Sequence, residues 1–129
     1  MTVCGIWQGA QHLAAAIINP DGTMRPSITV RATNDNTRNL LDYLVVADID
    51  TLILAEHSYS LISEAHSRRL RVRLVPGDLL DGIRFATAMN RRPPRNTAIL
   101  LARWPFTPAR SYLRDARFTQ PQKNQIPLF

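Results

Sequence analysis

Apolar and polar positions alternate along the first third of the chain. "TVCGIWQG" and "HLAAAIIN" predict two strands joined by a tight turn at Gly9 to Gln11. "NPDG" at Asn19 to Gly22 is a strong turn signal, because proline presets its own backbone angle and glycine tolerates positive φ. In "SITVRAT", Ile28 and Val30 alternate with polar neighbours, which predicts a third strand and an antiparallel meander over the first 33 residues. Pro26 places that third strand at a sheet edge.

The period then changes. Leu40, Leu41, Leu44 and Val45 recur at helical spacing and predict a helix from about 37 to 47, with Asn36 or Thr37 as its cap. "TLILAE" is a short continuous apolar run, as expected of a strand covered on both faces. "SLISEAHSRRL" as a helix and "RVRLVP" as a strand complete a βαβ unit with a parallel crossover. Asp78 is placed to cap a further helix through Leu79, Leu80, Ile83 and Ala86. "NRRPPRN" reads as a basic connection broken by Pro93 and Pro94, "TAILLAR" as one more strand, and "TPARSYLRDARF" as a final helix with Pro108 in its first turn.

At 129 residues and 45% apolar, the chain predicts one α/β domain over residues 1–118. Residues 119–129 read as a tail in which the polar "TQPQKN" is a flexible tether. The longest apolar run, Leu13 to Ile18, is far too short to cross a bilayer, and "MTVCGIWQG" does not read as a signal peptide, so a cytoplasmic protein without a membrane partner is expected. The single cysteine, Cys4, lies in an expected strand and reads as a buried structural thiol.

Charge adds a further expectation. The net charge is +6, and fifteen of the sixteen cationic side chains are arginine, which forks onto phosphate as well as attracting it. They gather at Arg68, Arg69, Arg71 and Arg73, at Arg91, Arg92 and Arg95, and at Arg103, Arg110, Arg114 and Arg117. Arg68, Arg69, Arg91, Arg92 and Arg95 are therefore the candidate nucleic-acid contacts, DNA being the expected polymer; a merely solvated basic face is the alternative. Gly-rich phosphate loops, serine nucleophile elbows and zinc spacings are absent from the sequence.

Over about residues 2–76, the element order and the stretch "GIWQGAQHLAAAIINPDG" resemble the ribonuclease H-like fold of resolvases, transposases and related nucleases. In that family a Gly-Ile-Asp opening on the first strand precedes a second strand ending in a "DPDG"-like turn. The resemblance implies a mixed sheet of three antiparallel strands followed by parallel strands with helical crossovers. It also implies a carboxylate set holding two divalent metal ions, one activating water and the other stabilising the leaving oxygen. Here Trp7 stands where the first aspartate belongs, Glu56 matches the second acid, and Asp115 is the candidate for the third. An indole cannot ligate magnesium, so the expectation is a catalytically inactive domain with no cofactor. The competing reading is a Mg2+-dependent nuclease that uses Glu56 and Asp115 with Asp48, Asp50 or Asp81. His57, His12 and His66 have no second histidine or cysteine at metal-ligand spacing in the sequence and read as surface histidines, Trp7 reads as core, and Trp104 as core or a base-stacking platform.

"QIPLF", residues 125–129, resembles the bacterial sliding-clamp-binding motif, whose common form is Gln-Leu-Ser/Asp-Leu-Phe with variants that carry a central proline. The resemblance implies that Gln125 hydrogen-bonds at the rim of the clamp groove and Ile126 takes the usual leucine's place. Leu128 and Phe129 then enter the deep apolar pocket, while Pro127 keeps the peptide extended. It implies an accessory protein of DNA replication, repair or a mobile element whose partner is the polymerase clamp. The alternatives are a tail packed on its own domain and a non-catalytic nucleic-acid-binding domain whose tail is structural.

Overall fold

A computed structural model describes residues 1–116. Among these residues six strands form one mixed sheet in the order β3-β2-β1-β4-β5-β6: β1 (Val3–Gln8), β2 (His12–Ile18), β3 (Ile28–Arg31), β4 (Thr51–Ala55), β5 (Arg71–Val75) and β6 (Arg114–Asp115). β1 pairs antiparallel with β2 from Val3↔Ile18 to Gln8↔Leu13, and β2 pairs antiparallel with β3. β4 joins β1 in parallel, and β5 joins β4 in parallel, as the change from alternation to continuous apolar runs predicts. Pro26 leads into β3, which is an edge strand.

Among the described residues four helices cover the sheet: α1 (Asn34–Val46), α2 (Tyr59–Ser67), α3 (Gly77–Ala86) and α4 (Pro94–Arg103). α1 begins three residues before the expected start, because Thr33 and not Asn36 or Thr37 is its cap; Thr33 Oγ1 accepts from the Asn36 amide at 3.1 Å. Asp78 lies within the first turn of α3 and caps nothing, since Pro76 occupies the cap position. None of the described helices is long and apolar enough to cross a membrane.

The strand pleat sorts the core into two layers. Cys4 and Ile6 of β1, Leu13, Ala15 and Ile17 of β2, and Leu52 and Leu54 of β4 meet α1 and α2 on one face. Val3 and Trp7, Ala14 and Ala16, and Ile53 and Ala55 meet α3, α4 and Trp104 on the other. Gly5 falls on this second face. A β-carbon there would lie 2.3 Å from both the Ala98 carbonyl oxygen and the Ala102 amide nitrogen, so α4 crosses β1 backbone to backbone. Ala14, Ala16, Ala98 and Ala102 keep the surrounding crossing shallow enough for that approach.

Two expectations for the second half are corrected. "TAILLAR" is not a strand but the body of α4, in which Thr97, Ala98, Leu101 and Ala102 are buried at helical spacing and Pro94 occupies the first turn. "TPARSYLRDARF" is not a helix in its described part, which runs to Ala116. Pro105 lies second in one short 3-10 turn, Trp104–Phe106, and Pro108 starts another, Pro108–Tyr112, after which the chain enters β6 antiparallel to β5. Trp104, 2% exposed, anchors these turns by donating from Nε1 to the Ala109 carbonyl at 2.9 Å, which resolves it as core.

Cys4 is completely buried, and loss of solvent pushes its thiol up to about 12. Because the thiolate is the reactive form, folded protein at pH 8 is expected to resist iodoacetamide while denatured protein is alkylated within minutes. Mass spectrometry on both samples reads the difference directly; rapid labelling of the folded chain would contradict the buried assignment.

Candidate functional site

Parallel β1 and β4 bring Trp7 and Glu56 to the same end of the sheet, at the carboxyl ends of the strands, where open α/β sheets bind ligands. Trp7 is 8% exposed and is flanked by a guanidinium and an imidazole. The Arg84 guanidinium carbon from α3 lies 4.1 Å from the indole centroid, and the His57 ring meets the indole edge at 5.9 Å and 83°. Arg84 is in turn fixed by donating from Nε to Oγ1 of buried Thr97 at 3.2 Å. The place expected for a first-strand carboxylate thus holds a packed indole, guanidinium and imidazole. Sequence reasoning identified Trp7 as core but missed Arg84. The signal was its position one turn after Leu80, the buried residue of α3.

Glu56 and Asp115 are brought to the walls of one groove of about 690 Å³ between α2 and the β5–β6 edge, lined also by Tyr59, Ile62, Leu74 and Arg114. Each carboxylate has a cationic neighbour. Arg114 Nη1 lies 3.4 Å from Glu56 Oε2, while Asp115 Oδ1 lies 3.4 Å from Arg73 Nε and 3.9 Å from Arg71 Nη2. Asp115 reaches the groove from β6, not from the expected helix.

The alternative third acids lie elsewhere. Asp48 and Asp50 precede β4 whereas Glu56 follows it, so a strand length, about 20 Å from Asp50 to Glu56, separates them. Asp50 is engaged there, accepting from the Thr2 amide at 2.6 Å. Asp81 is on α3. No group of three His, Cys, Asp or Glu side chains gathers at metal-ligating distance among the described residues. An indole at the first position and arginine-paired acids at the other two do not fit a two-metal centre.

The candidate nucleic-acid arginines divide sharply. Arg68 ties α2 to α1: its Nε donates to Asp42 Oδ1 at 2.7 Å and its Nη1 to Glu64 Oε2 at 2.8 Å. The hydrogen bond from Arg68 holds the Glu64 carboxyl below its ordinary value, so this pairing is present above the usual glutamate range and is lost as pH falls through the lowered value. Arg69 is exposed in a left-handed turn with φ of 59°. Arg91, Arg92 and Arg95 are exposed around the start of α4, and no acidic side chain among the described residues lies within ion-pair distance of them. His12, His57 and His66 are on the surface, His57 with its edge on Trp7. Gln125, Ile126, Leu128 and Phe129, and the boundary expected after residue 118, lie outside the described residues.

Compared with protein-family models and with curated protein sequences, the chain matches none.

Proposed function

We propose that this chain is a non-catalytic accessory protein that docks on the bacterial DNA polymerase sliding clamp through Gln125, Ile126, Leu128 and Phe129, and that its α/β domain is of the ribonuclease H-like type. The observation that carries the docking reading is the pentapeptide "QIPLF" itself, three large apolar side chains that follow the polar, proline-containing "TQPQKN". Ile126, Leu128 and Phe129 each gain about 1.5–3 kcal/mol if fully buried in a partner, and the cost of ordering a short peptide leaves affinity on the order of micromolar. That strength suits reversible recruitment. The strand order β3-β2-β1-β4-β5 supports the fold assignment, and the Trp7–Arg84–His57 cluster supports the absence of catalysis.

Calorimetric titration of purified bacterial clamp with the intact protein and with a version ending at Asn124 tests the reading. Clamp binding is expected to vanish on truncation, because pocket-filling residues carry most of a short peptide's affinity, while the melting temperature stays within about 2 °C. Equal affinity of the two versions, or a large fall in melting temperature, would assign the pentapeptide to this protein's own core.

One observation favours a second reading, a metal-dependent nuclease: Glu56 and Asp115 share a groove. Cleavage of branched, hybrid or duplex DNA in magnesium that Glu56→Ala abolishes would establish it. We expect none.

A further inference from the structure

The unpaired arginines do not stand on a featureless surface. α3 ends beside Phe85, whose side chain is 83% exposed in spite of its size. From there the chain turns tightly through Ala88, whose amide donates to the Phe85 carbonyl, and through the 3-10 turn Met89–Arg91, where the Arg91 amide donates to the Ala88 carbonyl. Arg92 and Pro93 lead directly into α4. Along α4 the spacing sets Arg95, Ile99 and Arg103 on one stripe, with Leu100 beside it. Met89, Asn96, Ile99, Leu100 and Arg103 line a largely apolar trough of about 320 Å³. Between the exposed ring and the trough the chain carries Arg91, Arg92 and Arg95, and Arg103 lines the trough with its Nη2 3.7 Å from Met24 Sδ; all four are exposed and none is within ion-pair distance of an acid among the described residues. The start of α4, capped by no side chain, adds partial positive charge at the same place.

We propose that this surface, made by the end of α3, the Met89–Arg91 turn and the outer face of α4, binds single-stranded DNA, with phosphates on Arg91, Arg92, Arg95 and Arg103 and a base stacked on Phe85. Charge complementarity demands an anionic partner. That all four cations here are arginine favours one that offers both phosphate forks and flat faces, since a guanidinium engages each. Unstacked bases reward an exposed ring and an apolar trough, whereas a duplex keeps its base faces inside and would leave Phe85 without a contact. The surface shares no residue with the Glu56–Asp115 groove. The choice of DNA over RNA rests on the clamp reading; the presence of a single-strand site does not.

Fluorescence anisotropy with the full chain and labelled dT20, a 20-base-pair duplex and U20, each over a salt series, tests it. The expected order is dT20 tightest, with a salt slope near −3 for four neutralised phosphates, roughly 0.7 per contact. The triple variant Arg91→Ala/Arg92→Ala/Arg95→Ala should lower that slope by about 2. Phe85→Ala should weaken dT20 about tenfold without changing the slope, because stacking is not a counterion effect. Both variants alter exposed side chains, and circular dichroism verifies their folding. The version ending at Asn124 should bind dT20 as the full chain does, which separates failure of this surface from failure of clamp docking. No binding of dT20 at low salt, tighter binding of duplex or U20, an unaffected Phe85→Ala variant, or equal binding of a poly-glutamate peptide would each overturn the proposal.

Discussion

Gly5→Ala is expected to destabilise the fold by about 3 kcal/mol, at the upper end of the cost of overpacking, and to lower the melting temperature by roughly 10 °C. The added methyl would sit 2.3 Å from two backbone atoms of α4 and 2.9 Å from a third, the Leu101 carbonyl carbon. No rotamer change relieves a clash with backbone, so the helix itself must lift from β1 and open the layer formed by Trp7, Ile53, Ala98 and Leu101. Gly82→Ala supplies the control. Gly82 lies inside α3 with nothing within 4 Å of an added β-carbon, and the exchange should stabilise by about 0.5–1 kcal/mol through helix propensity alone. Urea unfolding of the pair measures both signs. A Gly5→Ala variant as stable as the parent would mean that α4 does not cross β1 where described.

That crossing also marks where the sequence stopped being legible. β1 to β5 could be read because their pleat alternation, or its replacement by a continuous apolar run in "TLILA", is a local signal that the sheet later satisfies. α4 could not be read in the same way. "AILLA" is five consecutive apolar residues, short enough to fit a buried strand, and its helicity is decided by packing at Ala98, Leu101 and Ala102 against a glycine more than ninety residues earlier. The stretch after Trp104 has helical apolar spacing but carries Pro105 and Pro108, and the open edge of β5 offers Leu74 and Arg73 as ladder partners instead.

The site divides along similar lines. Glu56 at a strand end and Trp7 in place of an acid were visible in "GIWQG" and "TLILAE", whereas Arg84 looked like any solvated helix arginine. Arg68 shows both cases at once: Glu64 stands four residues before it and was there to be noticed, but Asp42 reaches it from another helix, 26 residues away. Local spacing therefore overcounted the arginines free to meet a partner.

Trp7→Ala is the second change with a large expected effect, about 3–5 kcal/mol, from the lost indole volume and the cavity beneath it. Trp7 fills the second hydrophobic layer and also receives Arg84 on its face and His57 on its edge. Trp7→Phe keeps a ring for Arg84 and should cost about 1–2 kcal/mol. A double-mutant cycle between Trp7→Ala and Arg84→Ala isolates the guanidinium–indole contact, and a coupling of about 1–2 kcal/mol is expected for a cation held over a largely desolvated ring. Additivity to within about 0.5 kcal/mol would make Arg84 an ordinary surface residue with its stem on the core. The same variants bear on function. If the cluster has a structural role and docking runs through the pentapeptide as proposed, Trp7→Phe should lose stability yet bind the sliding clamp with parental affinity below its melting temperature, because residues 125–129 are unchanged. A Trp7→Phe protein that stays folded but no longer binds the clamp would move the docking surface from the pentapeptide to the carboxyl ends of β1 and β4.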